Sequence, residues 1–234
     1  MSVFAATLRL DVRLQARSKL YAIGVGLAVL MGLVGRLLEI ESAGRLLTAF
    51  YLLGLGSTTY IFGAGLVLFE KSQGTLQALR TSPVTTATYL RSKVVSLTVF
   101  AMLESLIVYA LGFADTPAHP LMLTLGLAAL GVLYTLIGLG QVARHDSVTA
   151  FLMPGALLVG SVVQLPVMHL LRVEPWWFWY LIPTQGPMLL ILGAFEPLET
   201  WQWWYATGMS ATAIAAAAWW ARHRFARFIM LADD

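Results

Sequence analysis

Long uncharged stretches dominate the pattern of hydrophobic and polar positions along this chain. Six of them are mostly apolar, and they cover residues 20–35, 46–69, 94–114 (interrupted only by Glu104), 116–143, 147–171 and 200–221. A helix crosses the hydrocarbon core of a bilayer with roughly 17–25 mostly apolar residues. The pattern therefore predicts an all-α integral membrane protein with six transmembrane helices.

A seventh uncharged run, residues 175–195, is long enough to span but contains three prolines and two glycines. Proline removes a backbone donor and breaks helices. Irregular backbone is tolerated at membrane depth only where protein covers it or where it lines a cavity. We therefore interpret residues 175–199 as an outer re-entrant pair of half-helices that precedes the last span.

The distribution of basic residues decides between six and seven spans. With six, all but three of the 15 Lys and Arg residues fall on one side; the exceptions are Arg36, Arg45 and Arg172. Short loops rich in Lys and Arg stay in the cytoplasm, and a seventh span would move the basic cluster at 222–227 outside. The prediction is a multi-pass protein of the inner (plasma) membrane with both termini and the 70–93 loop in the cytoplasm.

Composition agrees with this class and excludes several others. Hydrophobic residues make up 59% of the chain and charged residues 12%, with a mean hydropathy of +0.76, whereas soluble domains carry about 25% charged residues. We expect one membrane domain over residues 1–234. The net charge of +3 is attributed to the membrane topology, and no nucleic-acid partner is expected. No cysteine is present and the four histidines are scattered, so no metal site is expected. No phosphate-loop motif occurs, so the chain is not expected to be an enzyme.

Residues 3–19 have the pattern of an interfacial amphipathic helix. Basic residues recur every fourth position on one face and apolar residues on another; these are Arg9, Arg13 and Arg17, and Phe4, Leu8 and Val12. Such a helix lies on the anionic cytoplasmic leaflet. Asp11 is an exception, because it falls among the apolar positions. The alternative is a basic tail that only sets the orientation.

The segment of residues 70–93 is a polar, basic island between two apolar spans. Residues 74–79 can form a short helix with Leu76 and Leu79 on one side, and Ser82-Pro83 ends it because the residue before proline is pushed out of the α region. A short amphipathic element on two membrane-anchored stalks suits a mechanical coupling device. The alternative is a loop that is merely solvated.

This loop resembles the cytoplasmic loop of ABC-2-type exporter permeases, in which an acidic residue, Gly-Thr-Leu, a Ser-Pro turn and a Lys follow one another. The Pro-Thr-Gln-Gly stretch at 183–186 resembles the group of fluoroquinolone-type drug exporters. The resemblance implies a single ABC-2-type transmembrane domain and a separate nucleotide-binding ATPase subunit, which would hold ATP and Mg while this chain binds no cofactor. The residues implied in coupling to that subunit are Glu70, Lys71, Gly74, Thr75, Leu76, Leu79, Arg80 and Pro83.

The resemblance also implies a function and two further sites. The chain would be the permease subunit of an exporter that moves hydrophobic or amphipathic cargo (drug, lipid-like or glycan) out of the cytoplasm, paired with a second copy or homologue. In the family, the second and fifth spans flank the translocation path and two half-helices close the outer mouth. The implied path residues are Thr58, Thr59, Tyr60 and Gln164, and Glu104 is added to the predicted path because of its charge within the third span. The implied outer-gate residues are Pro183, Thr184, Gln185 and Gly186.

Glu104 leaves a second function open. It is the one acidic residue deep within a span, where a charge costs about 2.5–3.5 kcal/mol on insertion scales. It either binds a proton or cargo, or it fixes packing against a neighbouring Ser, Thr or Tyr. The alternative function is therefore a proton-coupled secondary carrier that uses Glu104.

Overall fold

The computed structural model describes residues 2–38, 42–76, 82–174 and 176–230, and within these ranges the chain is helical with no strand. The helices are α1 (Val3–Arg17), α2 (Leu20–Leu37), α3 (Ala43–Ser72), α4 (Thr86–Gly112), α5 (Pro120–Val142), α6 (Val148–Leu170), α7 (Trp176–Trp179), α8 (Gln185–Leu192) and α9 (Thr200–Phe225). Single π-helical turns occur in α3 at Tyr51–Leu55, in α6 at Val159–Val163 and after α9 at Ala226–Met230.

Five of these helices, α2 to α6, are long and apolar enough to cross a membrane. They coincide with the first five predicted spans. The sixth predicted span falls on α9, which is long enough but has a lower mean hydropathy because it contains several tryptophans and threonines and ends in basic residues. The chain is therefore a membrane-embedded helical protein, and the sixth crossing stays a prediction.

The two ends of α9 lie at opposite ends of the bundle. Its first turn packs against Tyr180, whose ring centre is 5.3 Å from that of Trp201. Its last turn packs against the start of α4, where the rings of Phe225 and Tyr89 are 5.6 Å apart. We call the end that holds Tyr89, Lys93 and Phe225 the Lys93 end, and the opposite end, which holds Tyr180 and Glu196, the Glu196 end.

The core lies around α5, which packs against α3, α4, α8 and α9. Close approach of α3 and α5 depends on Gly138, because a methyl group there would lie 2.6 Å from the Tyr60 carbonyl oxygen. Side-chain caps mark the starts of α1, α4 and α6, with Ser2, Thr85 and Ser147 as the capping residues. These caps satisfy amide groups that have no partner within the helix.

The segment predicted as re-entrant contains the two short helices α7 and α8. Four and eight residues respectively are too few to cross a bilayer, which agrees with the charge argument against a seventh span. Every residue of α8 is buried, and the helix packs between α5 and α9. A re-entrant course for this pair stays a prediction.

Helix α1 has a buried face that its sequence pattern did not predict. Its buried residues are polar, namely Thr7, Asp11 and Gln15, whereas Phe4 and Val12 are exposed. Asp11 is thus no irregularity in an apolar face; it is the centre of a polar stripe at four-residue spacing that packs against α4.

Candidate functional site

The two stalks of the 70–93 loop are joined by a buried ion pair. Lys93 Nζ, in the second turn of α4, donates to Glu70 Oε1 at the end of α3 over 2.7 Å and to Asp11 Oδ1 in α1 over 2.8 Å. The residues Lys93, Asp11 and Glu70 are 1%, 3% and 3% exposed. One ammonium group therefore holds three helices together.

Two hydroxyl groups complete this arrangement. Ser92 donates to Asp11 Oδ2, and Tyr89 donates to Glu70 Oε2. The Lys93 ammonium also lies 4.7 Å from the centre of the Tyr89 ring, within range of a cation–π contact. Buried charges are tolerated when they are paired and hydrogen-bonded, and here every carboxylate oxygen has a donor. We call these five residues (Asp11, Glu70, Tyr89, Ser92 and Lys93) the Lys93 cluster.

A second set of polar contacts extends the cluster along α1. Gln15 Nε2 donates to Ser96 Oγ over 2.8 Å, and Tyr21 at the start of α2 donates its hydroxyl to Gln15 Oε1 over 2.8 Å. Gln15 is fully buried. The polar stripe of α1 is thus bonded to α4 over two turns, so α1 is fixed to the helix that follows the loop.

Lys71 fixes the end of α3 to the end of α5. Its Nζ donates to the carbonyl oxygens of Ala143 and His145, over 3.0 and 2.8 Å, and to Asp146 Oδ1 over 3.2 Å. A cation near a helix C-terminus compensates the carbonyl groups that lack partners there. Asp146 is 94% exposed on its side chain, so that ion pair adds little and the carbonyl contacts matter most.

The residues implied in coupling occupy different environments. Glu70 and Lys71 are engaged as described, and Gly74 has a φ of 67°, a left-handed conformation that favours glycine. Leu76 is 5% exposed and packs in the main core, Thr75 is half-buried, and Pro83 is exposed. Leu79 and Arg80 lie outside the described residues. Glu70 and Leu76 therefore hold the loop in place, and Pro83 is at the surface.

The residues implied in a translocation path are only partly brought together. Thr59 and Tyr60 are buried, and the Tyr60 hydroxyl donates to Gln141 Oε1 over 2.7 Å. Half-buried Thr58 donates its hydroxyl to the Leu55 carbonyl. Gln164 of α6 donates to the Leu53 carbonyl over 3.1 Å and to the Ser57 hydroxyl, so α3 and α6 meet through polar groups.

Glu104 lies apart from those residues, between α4 and α2. It is 1% exposed, and a methyl group added to Gly24 of α2 would lie 1.9 Å from its Oε1. Oε1 has no hydrogen-bond donor within the described part of the chain. Where the sequence predicted a Ser, Thr or Tyr beside the Glu104 carboxyl, the structure places Gly24 and the ring of Phe100.

The residues implied in an outer gate connect α8 to its neighbours. Thr184 donates to the Val163 carbonyl, and Gln185 bonds to His169 Nδ1. A methyl group on Gly186 would lie 2.9 Å from the Ala206 carbonyl oxygen, so α8 approaches α9 closely, whereas Pro183 is exposed. Three of the four positions thus hold α8 against α6 and α9.

Two features of the site region were not found from the sequence. Arg45 forms a bidentate pair with Glu196, with Nε 2.7 Å from Oε1 and a terminal nitrogen 2.8 Å from Oε2. The hydrogen bond from Arg45 lowers the pKa of Glu196. The second feature is an apolar cavity of about 410 Å³ between α3, α4 and α5. It is lined by Tyr51, Val99, Met102, Leu103, Ser105, Leu106, Tyr109, Leu123, Thr124 and Leu127.

Comparison with known proteins identifies a matching family and similar curated proteins. The model of a family described as the Fluoroquinolones export permease protein family matches residues 2–233. Among curated proteins, the chain is similar to fluoroquinolones export permease proteins of Mycobacterium tuberculosis, from strains CDC 1551 / Oshkosh and ATCC 25618 / H37Rv. Each is 29% identical over 241 residues, which cover 98% of this chain and 98% of the relative.

Proposed function

The chain belongs to the Fluoroquinolones export permease protein family, and we propose that it is the membrane subunit of an ATP-driven exporter of the ABC-2 type. It is a membrane permease. The proposal adds the energy source: a separate nucleotide-binding ATPase subunit binds ATP and Mg and moves the 70–93 loop. The observation that carries the proposal is the Lys93 cluster, because it makes the two stalks of that loop and α1 into one body.

The proposed topology has six spans, with α9 as the sixth and both termini in the cytoplasm. Support comes from the position of α9, which starts at the Glu196 end and finishes beside Tyr89 at the Lys93 end. Basic side chains are concentrated at the Lys93 end, with Arg17, Arg91 and Arg144 among them. Lys and Arg in short loops remain in the cytoplasm, so the Lys93 end faces the ATPase.

Transport follows from a rigid-body displacement at the Lys93 end. Closure of the ATPase dimer pushes the loop, and the ion pairs of Lys93 carry this movement to α1 and α4 together. The contacts of Lys71 with the end of α5 carry it to the centre of the bundle. The bundle then alternates between inward-open and outward-open states, as in other transporters driven by a shifted conformational equilibrium.

One chain has too few helices to enclose a path, so the proposed exporter contains two permease chains and two ATPase chains. The proposed cargo is hydrophobic or amphipathic, because the relatives are named for export of fluoroquinolones. The apolar cavity of about 410 Å³, with Tyr51 and Ser105 among its lining, has the size and character of pockets that bind small organic molecules.

Co-purification tests this proposal. We expect tagged protein from gently solubilised membranes to carry a stoichiometric soluble chain with a phosphate-loop motif, identified by mass spectrometry. Pro83→Arg places a bulky charge on the exposed loop and should release that chain. Pro183→Arg makes the same change at an exposed proline near the Glu196 end and should not. Recovery of the permease alone in several detergents would overturn the ATP-driven reading.

The second candidate function is a proton-coupled carrier. It is favoured by Glu104 Oε1, which has no hydrogen-bond partner among the described residues. In proteoliposomes without any ATPase, this reading requires transport driven by a proton gradient. The Glu104→Gln variant should abolish that transport while inserting normally. Absence of gradient-driven transport in the unmodified protein would exclude the carrier.

A further inference from the structure

The contact between α2 and α4 is a seam of small residues. The buried positions of α2 recur about every fourth residue and are Leu20, Gly24, Ala28, Gly32 and Gly35. The two backbones come close: a methyl group added to Gly112 of α4 would lie 2.4 Å from the Gly32 carbonyl oxygen, and one added to Gly35 would meet the Phe113 ring at 2.4 Å. We call this contact the α2–α4 seam. Such stripes usually serve packing alone.

One polar group in the seam is not explained by packing. The Glu104 carboxyl points at Gly24 and is 1% exposed, and its Oε1 accepts no hydrogen bond within the described residues. In the described part of the chain, no Lys or Arg forms an ion pair with it. Lys93 lies eleven residues earlier on the same helix, about three turns away, and is bonded to Asp11 and Glu70. On α2, the hydroxyl of Tyr21 is bonded to Gln15.

The seam is within reach of the bilayer because α2 packs mainly against α4. Only 28% of its most apolar window is buried, the second-lowest share among the five apolar helices. Large side chains such as Ile23, Leu27 and Leu30 are exposed to the surroundings, which are lipid for a membrane helix. Separation of α2 from α4 would open Glu104 sideways to the hydrocarbon region. It would break the extensive contact between these two helices but few contacts of α2 with other helices.

We propose that the α2–α4 seam is a binding site for lipophilic monocations, which enter from the bilayer and pair with the Glu104 carboxylate. A lone carboxylate in hydrocarbon is costly, and a paired one much less so. A cation with an apolar surface therefore removes this cost, whereas a neutral or anionic molecule of the same shape does not. The binding site itself does not depend on the proposed export function; only the identification of these cations as cargo rests on it.

Two ions of nearly the same shape and opposite charge test the proposal. The purified full-length chain in lipid nanodiscs, without any ATPase, is titrated with tetraphenylphosphonium and separately with tetraphenylborate. We expect saturable binding of tetraphenylphosphonium that Glu104→Gln weakens by about tenfold or more, as for other close charge pairs. Tetraphenylborate binding should be the same for both proteins.

A pair of glycine substitutions on α2 provides a matched control. Gly24→Ala puts a methyl group against Glu104 and should change tetraphenylphosphonium affinity. Gly26→Ala lies one half-turn away, where an added methyl group meets nothing within 4 Å, and should leave the affinity unchanged.

Three results would each overturn the proposal: no saturable tetraphenylphosphonium binding, equal affinity in the Glu104→Gln variant, or competition by tetraphenylborate at the same site. None of them bears on the ATPase, since that subunit is absent from the titration. Conversely, a failed co-purification would remove the ATP-driven mechanism and leave the cation site standing. The two proposals therefore fail independently.

Discussion

Two buried carboxylates at α4 have opposite surroundings: Glu70, at the end of α3, is bonded to α4, and Glu104 is part of α4 itself. Glu70 accepts hydrogen bonds from Lys93 and Tyr89, and the Lys93 cluster leaves neither of its oxygens unpaired. Glu104 is as deeply buried, yet it faces a glycine and an aromatic ring, and its Oε1 has no hydrogen-bond partner in the ranges that the structure describes. A fully paired buried charge holds a structure together, whereas an unpaired one is available for a ligand or a proton.

The comparison predicts its largest effect at Lys93. The Lys93→Met substitution leaves Asp11 and Glu70 buried without a counter-charge. Removal of one partner from a buried ion pair lowers stability by about 3–5 kcal/mol. The free energy of unfolding, measured by denaturant titration in mixed micelles, should fall by that amount. Arg91→Met, an exposed position two residues away, is the control.

The triple variant Asp11→Asn, Glu70→Gln, Lys93→Met sharpens this test. It removes all three charges, so most of the lost stability should return. If Lys93→Met costs no more than Arg91→Met, the pairing does not hold these helices together.

A smaller effect is expected from loosening α1 alone. Asp11→Asn removes one carboxylate while Lys93 keeps Glu70 as a partner, and a hydrogen bond to a charged group contributes about 1.5–3 kcal/mol. Amide hydrogens in α1 should then exchange faster, as measured by mass spectrometry, while those in α8 keep their rate. Asp146→Asn makes the same change at a side chain that is 94% exposed. A faster exchange in both variants would show that the effect is not specific to the Lys93 cluster.

A third carboxylate, Glu196, should contribute less stability than Glu70, because its ion pair with Arg45 is partly open to solvent. The pKa of Glu196 is lowered by the Arg45 hydrogen bond, so the pair contributes stability above the unfolded pKa of about 4.3 and loses it as the pH falls through the folded value. After screening by solvent the contribution is at most about 1 kcal/mol.

Unfolding titrations at pH 6 and below pH 4 measure the Glu196 contribution. The acid-induced loss should be smaller in Glu196→Gln than in the unmodified protein. Equal losses would show that other groups are responsible for it.

Much of the fold follows from local sequence, and most of the candidate site does not. Runs of apolar residues predicted α2 to α6, because length and hydropathy are properties of a segment. Asp11 and Lys93 are 82 positions apart, so their contact depends on how helices pack. The available signals were Asp11 within an apolar face and small residues at every fourth position of α2. A hydropathy threshold also misses α9, whose tryptophans, threonines and terminal arginines lower the mean.

The smallest stability effect should come from the substitution that removes the unpaired carboxylate. Glu70→Gln and Glu104→Gln make the same chemical change at positions of similar burial. The first deprives Lys93 and Tyr89 of a charged acceptor and should cost about 1.5–3 kcal/mol. The second removes no partner and takes away a buried charge that has no compensating contact in the described residues, so the free energy of unfolding should not fall. If both variants lose the same stability, Glu104 has a partner in the bilayer-embedded protein, and the α2–α4 seam is held by that pair instead of being open to a cation.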